Sequence, residues 1–151
     1  MKRLLVASSL SAMSAVAVSA DAPIQHINPP TLSAPHGYSH VVVVRSGRTV
    51  YLAGQVPLDR NGALVGAGDL AAQTKQVFEN MKAALNAAGA GYADVVEMTT
   101  YLTDVSQIDA YRKVRDQYMS APLPAASLVE VKGLFRKDVM IEVSAVAVVQ
   151  Q

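Results

Sequence analysis

The chain has 151 residues, of which 51% are apolar and 17% are charged. These values are typical of one globular domain with a hydrophobic core and exclude a disordered chain. The chain contains no cysteine, which excludes disulfides, a thiolate nucleophile and thiolate metal sites.

Residues 1–20 are predicted to be a secretory signal peptide. Lys2 and Arg3 form a short basic start, an apolar or small-residue stretch runs from Leu4 to Val18, and Val18-Ser19-Ala20 offers the small residues that signal peptidase requires. The alternative is an uncleaved membrane anchor, although the stretch is short and rich in alanine and serine. We expect a secreted or periplasmic protein that has no stable membrane association after cleavage.

The charge of the mature chain argues against nucleic acid as a partner. Removal of Lys2 and Arg3 from the 13 basic residues leaves 11, against 12 acidic residues, so the net charge becomes −1. Such a chain has little electrostatic attraction for a phosphate backbone.

The first predicted elements follow an extended N-terminal arm at residues 21–35, and we assign residues 36–151 to a single domain. The β-branched run from His40 to Arg45 and the strand from Thr49 to Gly54 are separated by Ser46-Gly47, which predicts an antiparallel hairpin. Asp69 is predicted to cap a helix that ends at Gly89. Its apolar face comprises Leu70, Thr74, Val77, Met81, Leu85 and Ala88.

The second half of the chain predicts a strand, a helix and two further strands. Val95 to Leu102 forms the strand, and Asp104 or Ser106 caps a helix that runs to about Met119. The stripe of this helix comprises Ile108, Tyr111, Val114, Arg115 and Tyr118. Pro122 and Pro124 then interrupt the chain before a final pair of strands, predicted at Ser127–Val131 and Val139–Val149.

This order predicts an α+β fold in which two helices cover one face of one sheet. The runs Val41–Val44 and Ser144–Val149 are nearly continuously apolar, as in strands that are covered on both faces. We therefore expect an obligate oligomer, in which copies of the chain cover the second face.

Several ordered motifs resemble those of the RidA/YjgF family over residues 36–148. The motifs are Tyr51–Leu58, Ala71–Thr74 with Glu79–Ala83, Val95–Asp104, Pro124–Val131 and Ile141–Ala145. The resemblance implies a chorismate-mutase-like mixed sheet with two helices on one face and a homotrimer around a central barrel. It also implies small-molecule clefts between subunits and the hydrolysis of enamines and imines, such as 2-iminobutanoate and 2-iminopropanoate, without a metal or organic cofactor.

The carboxylate-binding arginine of that family is missing. It lies in the family's P-A-R-S segment, which reads Pro124-Ala125-Ala126-Ser127 in this chain, so that Ala126 stands in the arginine's place. A methyl group cannot replace a planar guanidinium, which meets a carboxylate with two parallel hydrogen bonds. We therefore expect weak or absent deamination of 2-imino acids.

The remaining cleft residues are carried over from the resemblance. They are Tyr38, Gly54, Gln55, Arg112 (where the family often has asparagine), Ser127, Leu128 (where it often has cysteine), and Glu142 as the residue that orients water. The alternatives are a solvent-facing Glu142, a Tyr38 that covers the edge of the core, and a Gln55 that satisfies backbone groups. Arg112 is our first candidate for a replacement cation, ahead of Arg115, Arg136 and Lys137. The alternative for each of the four, and the more common case, is a solvated charge.

Three functions follow from this reading. The first is a secreted small-molecule binder with little or no deaminase activity, and the second is a deaminase of altered specificity. The third, a nuclease or translation inhibitor, is disfavoured by charge and export. His36 and His40 are four residues apart but have no nearby cysteine or carboxylate in sequence, so we expect no metal site.

Overall fold

The computed structural model describes residues 21–151, and the predicted signal peptide at residues 1–20 lies outside the described residues. Six strands and two α-helices follow one another in this range. They are β1 (Ile24–Ile27), β2 (Val41–Val44), β3 (Arg48–Gln55), α1 (Leu70–Ala87), β4 (Val95–Leu102), α2 (Ile108–Arg115), β5 (Ala125–Glu130) and β6 (Ile141–Val149). Neither of these helices is long and apolar enough to cross a membrane.

The main sheet has four strands in the order β3-β6-β4-β5. β5 runs parallel to β4, whereas β6 is antiparallel to both β3 and β4, so the sheet is mixed. Both helices pack on one of its faces, which confirms the predicted architecture. The core comprises fully buried side chains of α1, β4 and β6, including Val77, Phe78, Met81, Leu85, Met98, Leu102, Ile141 and Val143.

The predicted hairpin between β2 and β3 is wrong. β2 pairs with β1, with Ile24 opposite Val44, and β3 pairs with β6, with Arg48 opposite Val149. The Ser46-Gly47 turn instead carries the chain from one sheet to the other. The nine-residue β6 is close in length to the eight-residue β3, whereas β2 has only four residues. A local turn signal does not specify the strand with which β3 pairs.

The last two strands are also not paired with each other, because β5 lies at the edge of the sheet and β6 lies between β3 and β4. The sequence pattern did not predict that β4 pairs with β5 in parallel. That pairing is possible because α2 and its flanking loops cross over between the two strands.

The N-terminal arm contains β1 and is anchored to the segment that precedes β5. His26 Nδ1 lies 2.8 Å from the carbonyl oxygen of Leu123, and the Ser39 hydroxyl donates to the same oxygen at 2.5 Å. The Ser39 amide donates to the carbonyl of Pro124 at 2.8 Å. These bonds place the loop between β1 and β2 beside the start of β5.

The first helix begins and ends as predicted, and the second is shorter. The Asp69 carboxylate accepts from the Ala72 amide at 3.0 Å, and Gly89 has a φ of +67°. α2 ends at Arg115 instead of Met119. The amides of Gln117 and Tyr118 bond three residues back, so the last turn tightens and leaves the α-helical path.

No element within residues 21–151 covers the second face of the main sheet. Tyr51 on β3 is 80% exposed and Val129 on β5 is 44% exposed. Tyr101 is paired with Val129 on one side and with Glu142 on the other. Glu142 therefore shares the face of Val129, because directly paired residues point to the same side of a sheet. Oligomerisation through this face stays a prediction.

Candidate functional site

A cavity of about 420 Å³ lies between the loop at residues 33–38, helix α2 and strand β5. Its walls combine polar, aromatic and aliphatic side chains, as in small-molecule sites. The lining residues are Ser33, Ala34, His36, Gly37, Tyr38, Ile108, Tyr111, Arg112, Arg115, Ala126, Ser127 and Leu128.

Hydrogen bonds fix the loop that forms the first wall. Ser39 forms a parallel bridge with Ala125, which places Tyr38 next to β5. The Tyr38 ring meets His40 edge-on, with 5.2 Å between the ring centroids. His40 Nε2 lies 2.8 Å from the carbonyl oxygen of Ser33, so the loop closes on itself beside the cavity.

Helix α2 supplies the second wall and is tied to the sheet by a buried hydrogen bond. The Tyr111 hydroxyl lies 2.9 Å from Thr100 Oγ1 on β4. Burial raises the pKa of Tyr111, while the bond to Thr100 and the charge of Arg115 act in the opposite direction. Tyr111 therefore stays protonated at neutral pH and keeps its hydroxyl proton for hydrogen bonding.

Arg115 extends from this helix to the boundary of the cavity. Its Nε and Nη2 donate to one oxygen of Asp116 at 2.9 and 2.7 Å, and its Cζ lies 5.8 Å from the centre of the Tyr111 ring. Gly37 packs directly against the guanidinium, since a Cβ added there would lie 2.7 Å from Cζ of Arg115. Only a glycine allows the backbone to approach this closely at a φ of +85°.

Strand β5 supplies the third wall. Ala126 pairs with Met98 and Leu128 pairs with Thr100. Met98 and Thr100 are buried beneath the helices, so Ala126 and Leu128 point to the helix-covered side of the sheet. Ala126 therefore presents a methyl group and no hydrogen-bond donor at this part of the wall.

Gly54, Gln55 and Glu142 form a separate group at the end of β3. A Cβ added to Gly54 would overlap the Glu142 carboxylate and lie 2.8 Å from its Cδ. Gln55 Nε2 donates to the carbonyl oxygen of Ala53 at 3.1 Å, which agrees with the alternative that Gln55 satisfies backbone groups. None of these three residues lines the described cavity.

The structure thus divides the carried-over residues into two groups. Tyr38, Arg112, Ala126, Ser127 and Leu128 meet at the cavity, whereas Gly54 meets Glu142 elsewhere and Gln55 lies next to Gly54 at the end of β3. Glu142 shares the uncovered face of the sheet, and Ala126 shares the helix-covered face. One chain therefore does not bring the Glu142 carboxylate to the wall that contains Ala126.

The structure also brings Arg115 and Gly37 to the cavity, whereas the sequence ranked Arg115 behind Arg112 and did not identify Gly37. The available signal was an arginine within the apolar stripe of the second helix, because a charged residue in a buried stripe needs a specific partner. Of the other candidate cations, Arg136 pairs with Asp138 at 2.7 Å in the loop before β6, outside the cavity. Residues 21–151 contain no group of three histidine or carboxylate side chains that could hold a metal ion.

Comparisons with known proteins cover these same elements. The family described as Endoribonuclease L-PSP matches residues 30–149. A RutC family protein of Pyrococcus abyssi is 41% identical over 110 residues, which are 73% of this chain and 84% of that protein. The 2-iminobutanoate/2-iminopropanoate deaminase of Homo sapiens is 33% identical over 111 residues, which are 74% of this chain and 79% of that protein. A Rid family protein of unknown function from Yersinia pestis has a TM-score of 0.78 and 39% identity, covering 85% of this chain and 100% of that one.

Proposed function

This chain belongs to the endoribonuclease L-PSP family, that of the RidA/YjgF proteins, and on this premise we propose that it binds a small molecule in clefts between its subunits. In this proposal its deaminase activity on 2-imino acids is weak or absent. The cleft is built from the cavity described above, and its ligand is a small organic molecule.

The observation that carries the proposal is Ala126 at the wall of the cavity. Hydrolysis of a 2-imino acid requires that the carboxylate is held while water attacks the imine carbon and ammonia leaves. Loss of a bidentate, charge-assisted contact is expected to cost about 2–4 kcal/mol of transition-state binding. That cost corresponds to a rate that is lower by about 30- to 1000-fold.

The placement of Glu142 supports a cleft between subunits. Glu142 and Ala126 lie on opposite faces of the sheet within one chain. A second copy of the chain is therefore needed to bring a Glu142 carboxylate to the cavity. We propose a homotrimer around a central barrel, in which the uncovered face with Tyr51 and Val129 is buried. A trimer mass in light scattering supports this assembly, and a monomer mass at micromolar concentration contradicts it.

Export agrees with a ligand that differs from the reactive imines. We propose that residues 1–20 direct secretion, which N-terminal sequencing of the mature protein tests. Imines hydrolyse in water, so few of those that form inside a cell would reach an exported protein intact. Nucleic acid is not a partner in this proposal, and RNA cleavage that persists through repurification would contradict that part.

A second candidate is a deaminase of altered specificity. It is favoured by the close contact between Gly54 and the Glu142 carboxylate, and by the deaminase activity that the name of the human relative states. In this case the substrate would have no carboxylate at the end that faces Ala126.

An assay on the purified protein separates the two candidates. 2-Iminobutanoate and, separately, the corresponding amide 2-iminobutanamide, which has no carboxylate, are generated in situ. Their hydrolysis is followed against a trapping amine, with a protein-free reaction as the baseline. The binder proposal predicts a rate close to the baseline for both compounds. A clear acceleration that Glu142→Gln abolishes would instead establish a deaminase and contradict the proposal.

A further inference from the structure

The cavity has a strongly one-sided charge. Arg112 and Arg115 both line it, and no acidic residue is among its described lining residues. The partners of the two arginines, Asp109 and Asp116, have side chains that are 94% and 58% exposed. The charges of the two carboxylates are therefore screened by water. Asp116 lines a neighbouring opening next to Arg115, but it is not part of the wall of the cavity itself.

Arg115 is better suited than Arg112 to bind an anion there. The Arg115 side chain is only 9% exposed, whereas that of Arg112 is 43% exposed and lies 3.6 Å from Asp109. A charge acts more strongly on a ligand when little water surrounds it. A guanidinium that is already held in one orientation also loses less conformational entropy on binding.

The contacts of Arg115 fix its guanidinium in one orientation, but the N–H donors of Nη1 form no bond to Asp116. Both bonds to Asp116 come from Nε and Nη2, so the carboxylate occupies one edge of the guanidinium. Gly37 packs against the guanidinium, with an added Cβ 2.7 Å from Nη1, and as a glycine it has no side chain that would cover this nitrogen further. Two further donors on Nη1 remain outside the bonds to Asp116, and a planar carboxylate can accept from them.

We infer that Arg115 binds the anionic group of a small organic carboxylate in this cavity, from helix α2 instead of from strand β5. This inference rests on the proposed function and names the class of its ligand. The aliphatic side chains of Ile108 and Leu128 line the same cavity and accommodate a short apolar tail. In this inference the carboxylate is held from α2 and not from the wall at Ala126, so binding is not coupled to hydrolysis.

The test is a titration with 2-oxobutanoate, the keto acid that hydrolysis of 2-iminobutanoate releases, followed by ligand-observed NMR. The uncharged 2-oxobutanamide is titrated in parallel. The variants are Arg115→Gln and, as a matched control, Lys113→Gln, which removes one exposed positive charge from the same helix. Asp116→Asn is a third variant, because it removes the negative charge that competes with the ligand for Arg115.

We expect the wild type to bind the acid more tightly than the amide. Arg115→Gln should weaken binding of the acid by about 10-fold or more, as for a lost charge-assisted hydrogen bond, and should remove the preference over the amide. Lys113→Gln should leave both affinities unchanged. Asp116→Asn should tighten binding of the acid by about 2- to 5-fold, a direction that a purely structural role of Arg115 does not predict.

Four results would overturn the inference, and they are distinguishable. If both compounds bind equally well, or if Arg115→Gln binds the acid as the wild type does, Arg115 is not the anion-binding group, while the proposed small-molecule function stands. If Arg115→Gln does not fold, unchanged or weaker binding of the acid to Asp116→Asn overturns it instead. If the wild type binds neither compound, the inference fails together with its premise that this cavity takes such ligands.

Discussion

Replacement of Gly37 by alanine tests the contact between the N-terminal loop and Arg115. Gly37 has a φ of +85°, and an added Cβ would overlap Nη2 of Arg115 and lie 2.7 Å from Cζ. The guanidinium would have to move by about 0.7 Å or more to restore an ordinary contact of roughly 3.4 Å or longer. Its two bonds to Asp116 oppose this movement.

Two costs add up in this variant. The left-handed backbone conformation costs an alanine about 1–2 kcal/mol, and overpacking against a fixed group costs about 1–3 kcal/mol. Gly62 supplies a matched control, because its φ is +79° and no described heavy atom lies within 4 Å of an added Cβ. Gly62→Ala therefore carries only the first cost.

Urea unfolding at a fixed protein concentration measures both variants, so that any effect of subunit association is held constant. We expect Gly37→Ala to lower the free energy of unfolding by about 1–3 kcal/mol more than Gly62→Ala does. In an Arg115→Ala background this difference should disappear, because the clashing group is gone. Equal costs for Gly37→Ala and Gly62→Ala in the wild-type background would refute the reasoning.

Three further predictions concern other parts of the fold. Asp69→Ala should lower the free energy of unfolding by about 1 kcal/mol in urea unfolding, because α1 loses its N-cap; an unchanged value would contradict the cap. Burial raises the pKa of Tyr92 above its ordinary value of 10, so the protein should lose stability as the pH rises above about 10. Tyr92→Phe should flatten that loss in unfolding curves between pH 9 and 11, and an unaltered slope would show that Tyr92 does not cause it. Gly54→Ala should displace the Glu142 carboxylate by about 1 Å and lower any deaminase activity of an Ala126→Arg variant by about 10-fold or more, whereas Gly133→Ala, whose Cβ meets nothing, should leave it unchanged.

The sequence predicted those parts of the fold that local chemistry determines. The N-cap at Asp69, the apolar face of α1 and the end of that helix at Gly89 depend on neighbouring residues alone, and the structure confirms them. The partner of a strand depends instead on residues far along the chain. That is why Ser46-Gly47 suggested a hairpin, although β3 pairs with β6.

At the site, too, some residues were identified from local motifs, whereas others depend on contacts between distant parts of the chain. The resemblance identified Tyr38, Ala126 and Arg112 by their motifs, and the structure brings all three to one cavity. Arg115 belongs to none of the quoted motifs, and its contact with Gly37 at the cavity is a tertiary contact. Likewise, the separation of Glu142 from Ala126 follows from the strand register, which a list of motifs does not contain.

The central claim is that the cleft has lost imine hydrolysis because Ala126 replaces an arginine. The most direct measurement is the rate of 2-iminobutanoate hydrolysis by the wild type, by Ala126→Arg and by Ala83→Arg, which adds the same charge on the exposed side of α1. We predict that Ala126→Arg accelerates hydrolysis by about 30- to 1000-fold over the wild type, while Ala83→Arg does not. A wild type that is already fully active, or an Ala126→Arg variant that folds and remains inactive, would contradict the account.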